Sequence, residues 1–366
     1  MQGIVFASWA SRIPDIQQRL GLSESGLGAV LFALPVGQLL ATMLSGYLVN
    51  RFGSKTMLSI GALLYPAGLV LLGGVATLWQ LFAALVLFGI FGNLCNIAVN
   101  TQGVGVERLY GRSIMASFHG LWSLAGFTGG IVGALMVAAN VSPSWHFVFI
   151  ALLALALLFV ARRSVVPRDA RTVTTTEKKS GFVKPDAFIL TLGLIAFACM
   201  ICEGTMFDWS SIYFEKIVHA PKQWTRLGYI AFMCTMAGGR FVSDYFVTRF
   251  GSRTVLQLSG VMIVAGMLLA VALPDILPAT LGFLLVGFGT SSVVPLVYSL
   301  AGRSRKIAPG IALALVSTIG FLGFLLGPPV IGLIAGLSSL RVSFAVIAFL
   351  GLGTTLLAKL LARLEK

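Results

Sequence analysis

Apolar residues come in blocks of about twenty, separated by short breaks of charged or turn-forming residues. Counting the blocks predicts helices over 1–16, 26–49, 56–76, 79–101, 113–139, 144–161, 186–213, 226–247, 253–273, 278–300, 307–335 and 340–362. A block of about twenty apolar residues is long enough to cross a hydrocarbon core of about 30 Å. The pattern therefore predicts an all-α membrane protein of twelve spans. The first span is short. At about 1.5 Å per residue it reaches only about 24 Å, which predicts a chain start upstream of Met1 or a trimmed or misassigned terminus.

One long polar stretch interrupts the blocks. Residues 162–185 are rich in Arg, Lys and Thr, with Pro167 and Pro185 as breakers, and they divide the chain nearly in half. They read as a linker between six-helix bundles at 1–161 and 186–366. Of the 26 Lys and Arg residues, 19 fall in the linker, in the loops after even-numbered spans, or in the C-terminal tail. Cytoplasmic loops carry such an excess, so both termini and the linker are expected in the cytoplasm.

Composition agrees with the pattern. Only 10% of the 366 residues are charged and 57% are apolar, with 42 glycines. A soluble domain carries about 25% charge, so a soluble enzyme is excluded. The net charge of +14 orients the chain in a bilayer and implies no nucleic-acid partner. Cys95, Cys199, Cys202 and Cys234 all lie in apolar blocks, where a thiol packs as a small hydrophobe.

The halves repeat. Arg51-Phe52-Gly53-Ser54-Lys55-Thr56 recurs as Arg249-Phe250-Gly251-Ser252-Arg253-Thr254 at an offset of 198. Leu27-Gly28 recurs as Leu227-Gly228, and Ser8-Trp9-Ala10-Ser11 as Asp208-Trp209-Ser210-Ser211. Gly89 pairs with Gly287, and Gly129 with Gly327. An even number of spans per half makes these parallel repeats.

This repeat, the basic linker and the segment Gly46-Tyr47-Leu48-Val49-Asn50-Arg51-Phe52-Gly53-Ser54-Lys55 resemble the major facilitator superfamily, whose signature is G-x-L-a-D-R-x-G-r-K. Asn50 stands where that family usually has Asp. The resemblance implies a twelve-helix fold of two six-helix bundles and a monomer that carries a small-molecule solute. It makes Arg51, Lys55, Arg249 and Arg253, together with an Arg240/Asp244 pair spaced i, i+4, elements of a cytoplasmic gate that bind carbonyls or carboxylates. Trp9-Ala10-Ser11-Arg12-Ile13-Pro14, Leu20-Gly21-Leu22-Ser23 and Glu203-Gly204 followed by Asp208-Trp209 resemble a bacterial inner-membrane branch related to fucose-permease-type sugar transporters.

Ionisable residues inside a span cost roughly 2.5–3.5 kcal/mol on insertion scales, so each needs a partner, a wet cavity or a function. Glu203, deep in the seventh span, is the first candidate for a proton carrier, with Asp208 and His119 as further proton-coupling candidates. Arg12 is placed to bind solute or to pair with Asp208 or Glu203. Asn93, Asn96 and Asn100 form one stripe of the fourth span. Their amides suit a hydroxylated ligand, since they donate and accept, or else glue helices together. Trp122, Gln38 and Tyr298 are further solute contacts. Trp9 and Trp209 read either as stacking platforms for a sugar or as members of the interfacial aromatic belt. Gly126/Gly130, Gly129/Gly133 and Gly323/Gly327 are small-x-x-x-small pairs that allow close helix contact.

Three functions compete. The first is a proton-coupled secondary transporter of a small polar solute such as a sugar, working by alternating access in the inner membrane. The second is a proton-driven exporter of drugs. Such antiporters of the superfamily carry a proline in their glycine-rich fifth helix, and here that helix has none. The third is an intramembrane enzyme or sensor, for which the sequence has no metal-ligand cluster, no phosphate-binding loop and no Ser/His/Asp arrangement. No cofactor is expected.

Overall fold

The computed structural model describes residues 1–110, 115–161, 163–167, 184–302, 304, 306–307 and 309–364. Most of the predicted linker, 162 and 168–183, lies outside the described residues. The chain divides into two compact units, Met1–Thr175 and Thr176–Lys366. The first contains α1 (Gln2–Leu20), α2 (Glu24–Leu31), α3 (Ala33–Phe52), α4 (Ser54–Gly74), α5 (Leu78–Tyr110), α6 (Met115–Ala138) and α7 (Pro143–Ala161). The second contains α8 (Ala187–Lys216), α9 (Leu227–Phe250), α10 (Ser252–Ala272), α11 (Ile276–Ser291), α12 (Val293–Ala301), α13 (Pro309–Leu337) and α14 (Leu340–Leu364). No strand occurs among the described residues.

Among the described residues, fourteen α-helices make twelve spans because the second and the tenth are broken, at Phe32 and at Ser292. A proline follows each break by three residues. Pro35 and Pro295 have no N–H to give the carbonyl four residues back, on Leu31 and Ser291, and their rings crowd it. Ten of the spans are apolar and long enough to cross a bilayer on their own. α1 and α9 are not among them. Both carry charge: Arg12, Asp15 and Arg19 on α1, and Arg240, Asp244 and Arg249 on α9.

Two predicted boundaries move. α1 continues through Leu20, so its 19 residues reach about 28 Å rather than the expected 24 Å. α5 runs nine residues beyond the predicted end at 101, to Tyr110. There Gln102 is buried. Its Nε2 donates to Ser54 Oγ at 2.6 Å and to the Val166 carbonyl at 3.1 Å, while its Oε1 accepts from the Val166 N–H at 2.9 Å.

The two units are wired alike. In the first, α1 packs on α6 and α7, α3 on α5, and α4 on α5 and α7; in the second, α8 packs on α13 and α14, α9 on α11, and α10 on α11 and α14. The repeated glycines sit at matching contacts. A Cβ on Gly89 would strike the Leu34 carbonyl, and one on Gly287 the Phe232 carbonyl, again 198 residues on. The helices cross there at backbone distance, which only a residue without a side chain permits.

The repeated turn is equally alike. Gly53 has φ 83° and ψ 147°, and Gly251 has φ 78° and ψ 151°, a region essentially reserved for glycine. The N–H of Gly53 reaches the Val49 carbonyl at 2.9 Å, and that of Gly251 the Val247 carbonyl at 2.8 Å.

α1 is tied to α7 by a buried charge. Arg12, 1% exposed, donates from Nε to His146 Nδ1 at 3.1 Å, from Nη1 to Asp15 Oδ1 at 3.2 Å and from Nη2 to the Val141 carbonyl at 2.8 Å. A guanidinium fork has donors to spare for three such acceptors, and together they offset the cost of keeping the charge out of water.

Two stability predictions follow from these contacts. Gly53→Ala and Gly251→Ala should each cost about 1–3 kcal/mol, read as a lower melting temperature in detergent. Gly46→Ala, whose added Cβ would meet nothing within 4 Å, should cost nothing. His146→Ala leaves the Arg12 Nε without its acceptor and should cost about 1–3 kcal/mol. A His146→Ala protein that melts with the wild type would show that the contact does not hold α1.

Candidate functional site

In the second unit, α8 carries Glu203, buried at 4% exposure. The thiol of Cys199, one turn earlier, donates to Glu203 Oε1 at 3.7 Å and also lies 3.8 Å from the Thr290 carbonyl, just before the α11/α12 break. The Arg240 guanidinium, on α9, acts on the Glu203 carboxyl through space. The half-buried phenol of Tyr298, on α12, is turned to Ser317, and Cys199 and Glu203 act on it electrostatically. A cation, a carboxyl, a thiol and a phenol thus gather beside a broken helix inside one bundle.

Arg240 was expected at a cytoplasmic gate with Asp244. The Asp244 side chain lies outside the described residues, and the Arg240 guanidinium also acts on the Glu203 carboxyl. At Gly239 a Cβ would meet Ser291 Oγ, so α9 closes on the end of α11 immediately before Arg240.

The asparagine stripe lies in the first unit, on α5. Asn93 Nδ2 donates to Thr42 Oγ1 on α3 at 3.2 Å, while its Oδ1 is buried without a hydrogen bond. Asn100 Nδ2 donates to Asn96 Oδ1 at 3.1 Å. Asn96 is exposed and Asn100 half-buried, so the stripe presents polar groups on the surface of the bundle. Gln38 is half-buried one turn before Thr42, whose hydroxyl donates to the Gln38 carbonyl at 2.9 Å. The geometry thus brings Gln38, Thr42 and Asn93 together on α3 and α5.

Other expected site residues are placed differently. His119 is not deep in a span: it is exposed, near the start of α6. The deeply buried histidine is His146, at 0% exposure, and the sequence reading passed over it. The signal that could have found it is its place within the predicted span 144–161, near the start. Arg12 is buried and is held within the first unit by His146, Asp15 and Val141. Trp9 and Trp209 are both 0% exposed, so neither is a stacking platform nor part of an interfacial belt. The exposed tryptophans are Trp79, Trp145 and Trp224, each in or beside a connection that follows an odd-numbered span. Trp122 is half-buried, its ring 6.1 Å from that of Phe6.

The basic residues of the repeated turn are also satisfied unexpectedly. Arg51 Nη1 donates to Tyr47 Oη at 2.7 Å, and Arg249 Nη1 to Tyr245 Oη at 2.9 Å. Arg51 lies 5.6 Å from the Phe52 ring centre, and Arg249 5.8 Å from that of Phe250. Phenol and ring face, rather than carbonyl or carboxylate, receive these guanidinium groups; cation–π attraction contributes about 0.5–1 kcal/mol at exposed sites. Lys55 is exposed and Arg253 half-buried.

Comparison with known proteins agrees with this architecture. A family model described as Major Facilitator Superfamily matches residues 2–306. An uncharacterized MFS-type transporter of Yersinia pestis is 32% identical over 367 residues, covering 99% of this chain and 93% of the relative. Among solved structures, a variant of the nucleoside transporter NupG superposes with a TM-score of 0.77 at 15% identity, covering 100% of this chain and 98% of the other. A D-xylose-proton symporter superposes at 0.75 with 17% identity, covering 98% and 94%. At those identities the structural likeness concerns the fold, while the family model and the Yersinia relative carry the assignment. The chain therefore belongs to the major facilitator superfamily, as a multi-pass membrane transporter and not an enzyme.

Proposed function

We propose that the protein is a proton-coupled secondary transporter of a small polar solute, of the sugar or related-metabolite class handled by fucose-permease-type carriers. The observation that carries this reading is Glu203: a carboxyl buried in the middle of α8, with a thiol donor at 3.7 Å and a guanidinium acting on it from α9. Such a group is costly inside a span unless it has a task. Loading and unloading a proton as access alternates is a task that a carboxyl beside an arginine can perform, because the arginine favours release and the surrounding hydrocarbon favours uptake.

The neutral amides of Asn93, Asn96, Asn100 and Gln38 supply donors and acceptors for hydroxyl groups, with Tyr298 as a further contact in the second unit. Two structural neighbours, a nucleoside transporter and a D-xylose-proton symporter, support a polar solute in preference to an amphipathic drug. In this reading the six-helix halves 1–161 and 186–366 move as bodies, joined by the linker 162–185, with both termini on the cytoplasmic side of an inner membrane. Arg51, Lys55, Arg249 and Arg253 then serve the cytoplasmic gate.

The test is transport. Sugars and nucleosides screened for a ligand-dependent rise in melting temperature identify the solute. In proteoliposomes with an imposed pH gradient, Glu203→Gln should then abolish accumulation of that solute while leaving counterflow intact. Accumulation at the wild-type level in the variant would remove Glu203 as the proton carrier.

A further inference from the structure

Just past the end of α7 the chain meets a socket on α5. Gln102 is 6% exposed, and its side-chain amide takes both backbone groups of one residue. Oε1 accepts from the Val166 N–H at 2.9 Å, and Nε2 donates to the Val166 carbonyl at 3.1 Å. Nε2 also donates to Ser54 Oγ at 2.6 Å, beside the Gly53 turn. One turn further along α5, a Cβ on Gly105 would stand 3.9 Å from both Val166 methyls. The Val166 side chain therefore lies over the glycine while its backbone is held by the glutamine. An amide that pairs with the N–H and C=O of a single residue does what a neighbouring antiparallel strand does.

The internal repeat isolates this arrangement. At the offset of 198 that relates Arg51 to Arg249 and Gly89 to Gly287, Ser54 corresponds to Ser252 and Gln102 to Leu300. Leu300 belongs with Leu296, Val297 and Ala301 to the apolar core of the second unit. The second unit thus closes this position with hydrocarbon, whereas the first places a polar socket there. A buried amide is costly unless its groups are hydrogen-bonded, so a glutamine where the repeat accommodates leucine calls for a partner. That partner is the chain that leads to the other half. Arg51 and Lys55 at the turn and Arg163 in the segment carry like charge, so the neutral amide, and not ion pairing among these residues, holds the two together.

We propose that Gln102 is a latch that docks the start of the connecting segment onto the first unit, so that the tether to the second unit begins at Pro167 rather than at the end of α7. Undocking residues 162–166 would lengthen the tether by five residues, about 17 Å when fully extended. In the transport reading proposed above, the latch limits how far the halves can part. Only that consequence rests on the transport reading; the docking stands on the bonds themselves.

The test is limited trypsin digestion of the purified protein in detergent, where no anionic lipid can hold the basic segment, with the fragments read by mass. Rates at Arg163 and Arg168, next to the latch, are divided by those at Lys178 and Lys179, farther along the segment. Differences in protease activity then cancel. Cleavage of a transiently opened segment tracks the population of the open form, so Gln102→Leu, which loses both bonds to Val166, should raise this ratio about ten-fold. Ser54→Ala, which keeps both bonds to Val166, should leave it at the wild-type value. An unchanged ratio in Gln102→Leu would overturn the proposal. So would an equal rise in Ser54→Ala, which would trace the cleavage to a loosened bundle. Should Gln102→Leu not fold, Val166→Pro removes the N–H that Oε1 accepts from without altering a helix of the bundle. That variant must then raise the ratio, and an unchanged value would equally sink the latch. None of these outcomes involves solute or proton, so they are independent of whether Glu203→Gln transports.

Discussion

Inside hydrocarbon there is no water to complete a hydrogen bond, and this single constraint governs how the chain is built. Backbone groups are satisfied within helices. Each polar side chain must then find a partner in its own bundle or stay unsatisfied. Arg12 finds three acceptors, Gln102 clamps Ser54 and Val166, and Arg51 and Arg249 rest on neighbouring phenols. Against that background of satisfied groups, Glu203 with only a weak thiol donor, and the buried Ser211 and Tyr229 hydroxyls without a hydrogen bond, are conspicuous.

Close backbone approach is the second condition for this economy. Helices brought together at Gly89 and Gly287 leave little room between them, so polar groups are confined to the places where the packing opens. At the α11/α12 break the backbone ladder is itself interrupted. Pro295 disrupts the helix there, and Cys199, Glu203 and Tyr298 are found beside it. The proline that interrupts the backbone ladder and the residues that hold the chemistry are thus neighbours for a physical reason.

The twelve spans, the repeat and the fold family were legible in the sequence because they rest on periodic signals: apolar blocks of bilayer length and anchors at constant offset. Glycine pairs such as Gly89 and Gly287 were legible for the same reason. Partner choice was not. Arg240 reads as one end of an i, i+4 pair with Asp244, and its electrostatic relation to Glu203 has no periodic signal in the sequence. Trp9 and Trp209 look like interfacial or stacking residues, since sequence distinguishes an indole in a span from one at its edge only by the position of the boundary. His146 was passed over because it stands near the start of its span, and only the partner 134 residues earlier shows that it is drawn inward. Proline breaks within spans leave hydropathy unchanged, so the division of the tenth span into α11 and α12 was invisible.

The bond between Arg12 and His146 also bears on how the protein is made. α1 precedes the other described helices in the chain, yet it is not apolar enough to qualify as a span by itself. The counter-charge of its Arg12 guanidinium, Asp15, lies on the same helix, but the other two acceptors, at Val141 and His146, are synthesised well over a hundred residues later. Until α7 is made, that guanidinium has only Asp15, so the first bundle completes the hydrogen-bond set of α1 only when its last helix is in place.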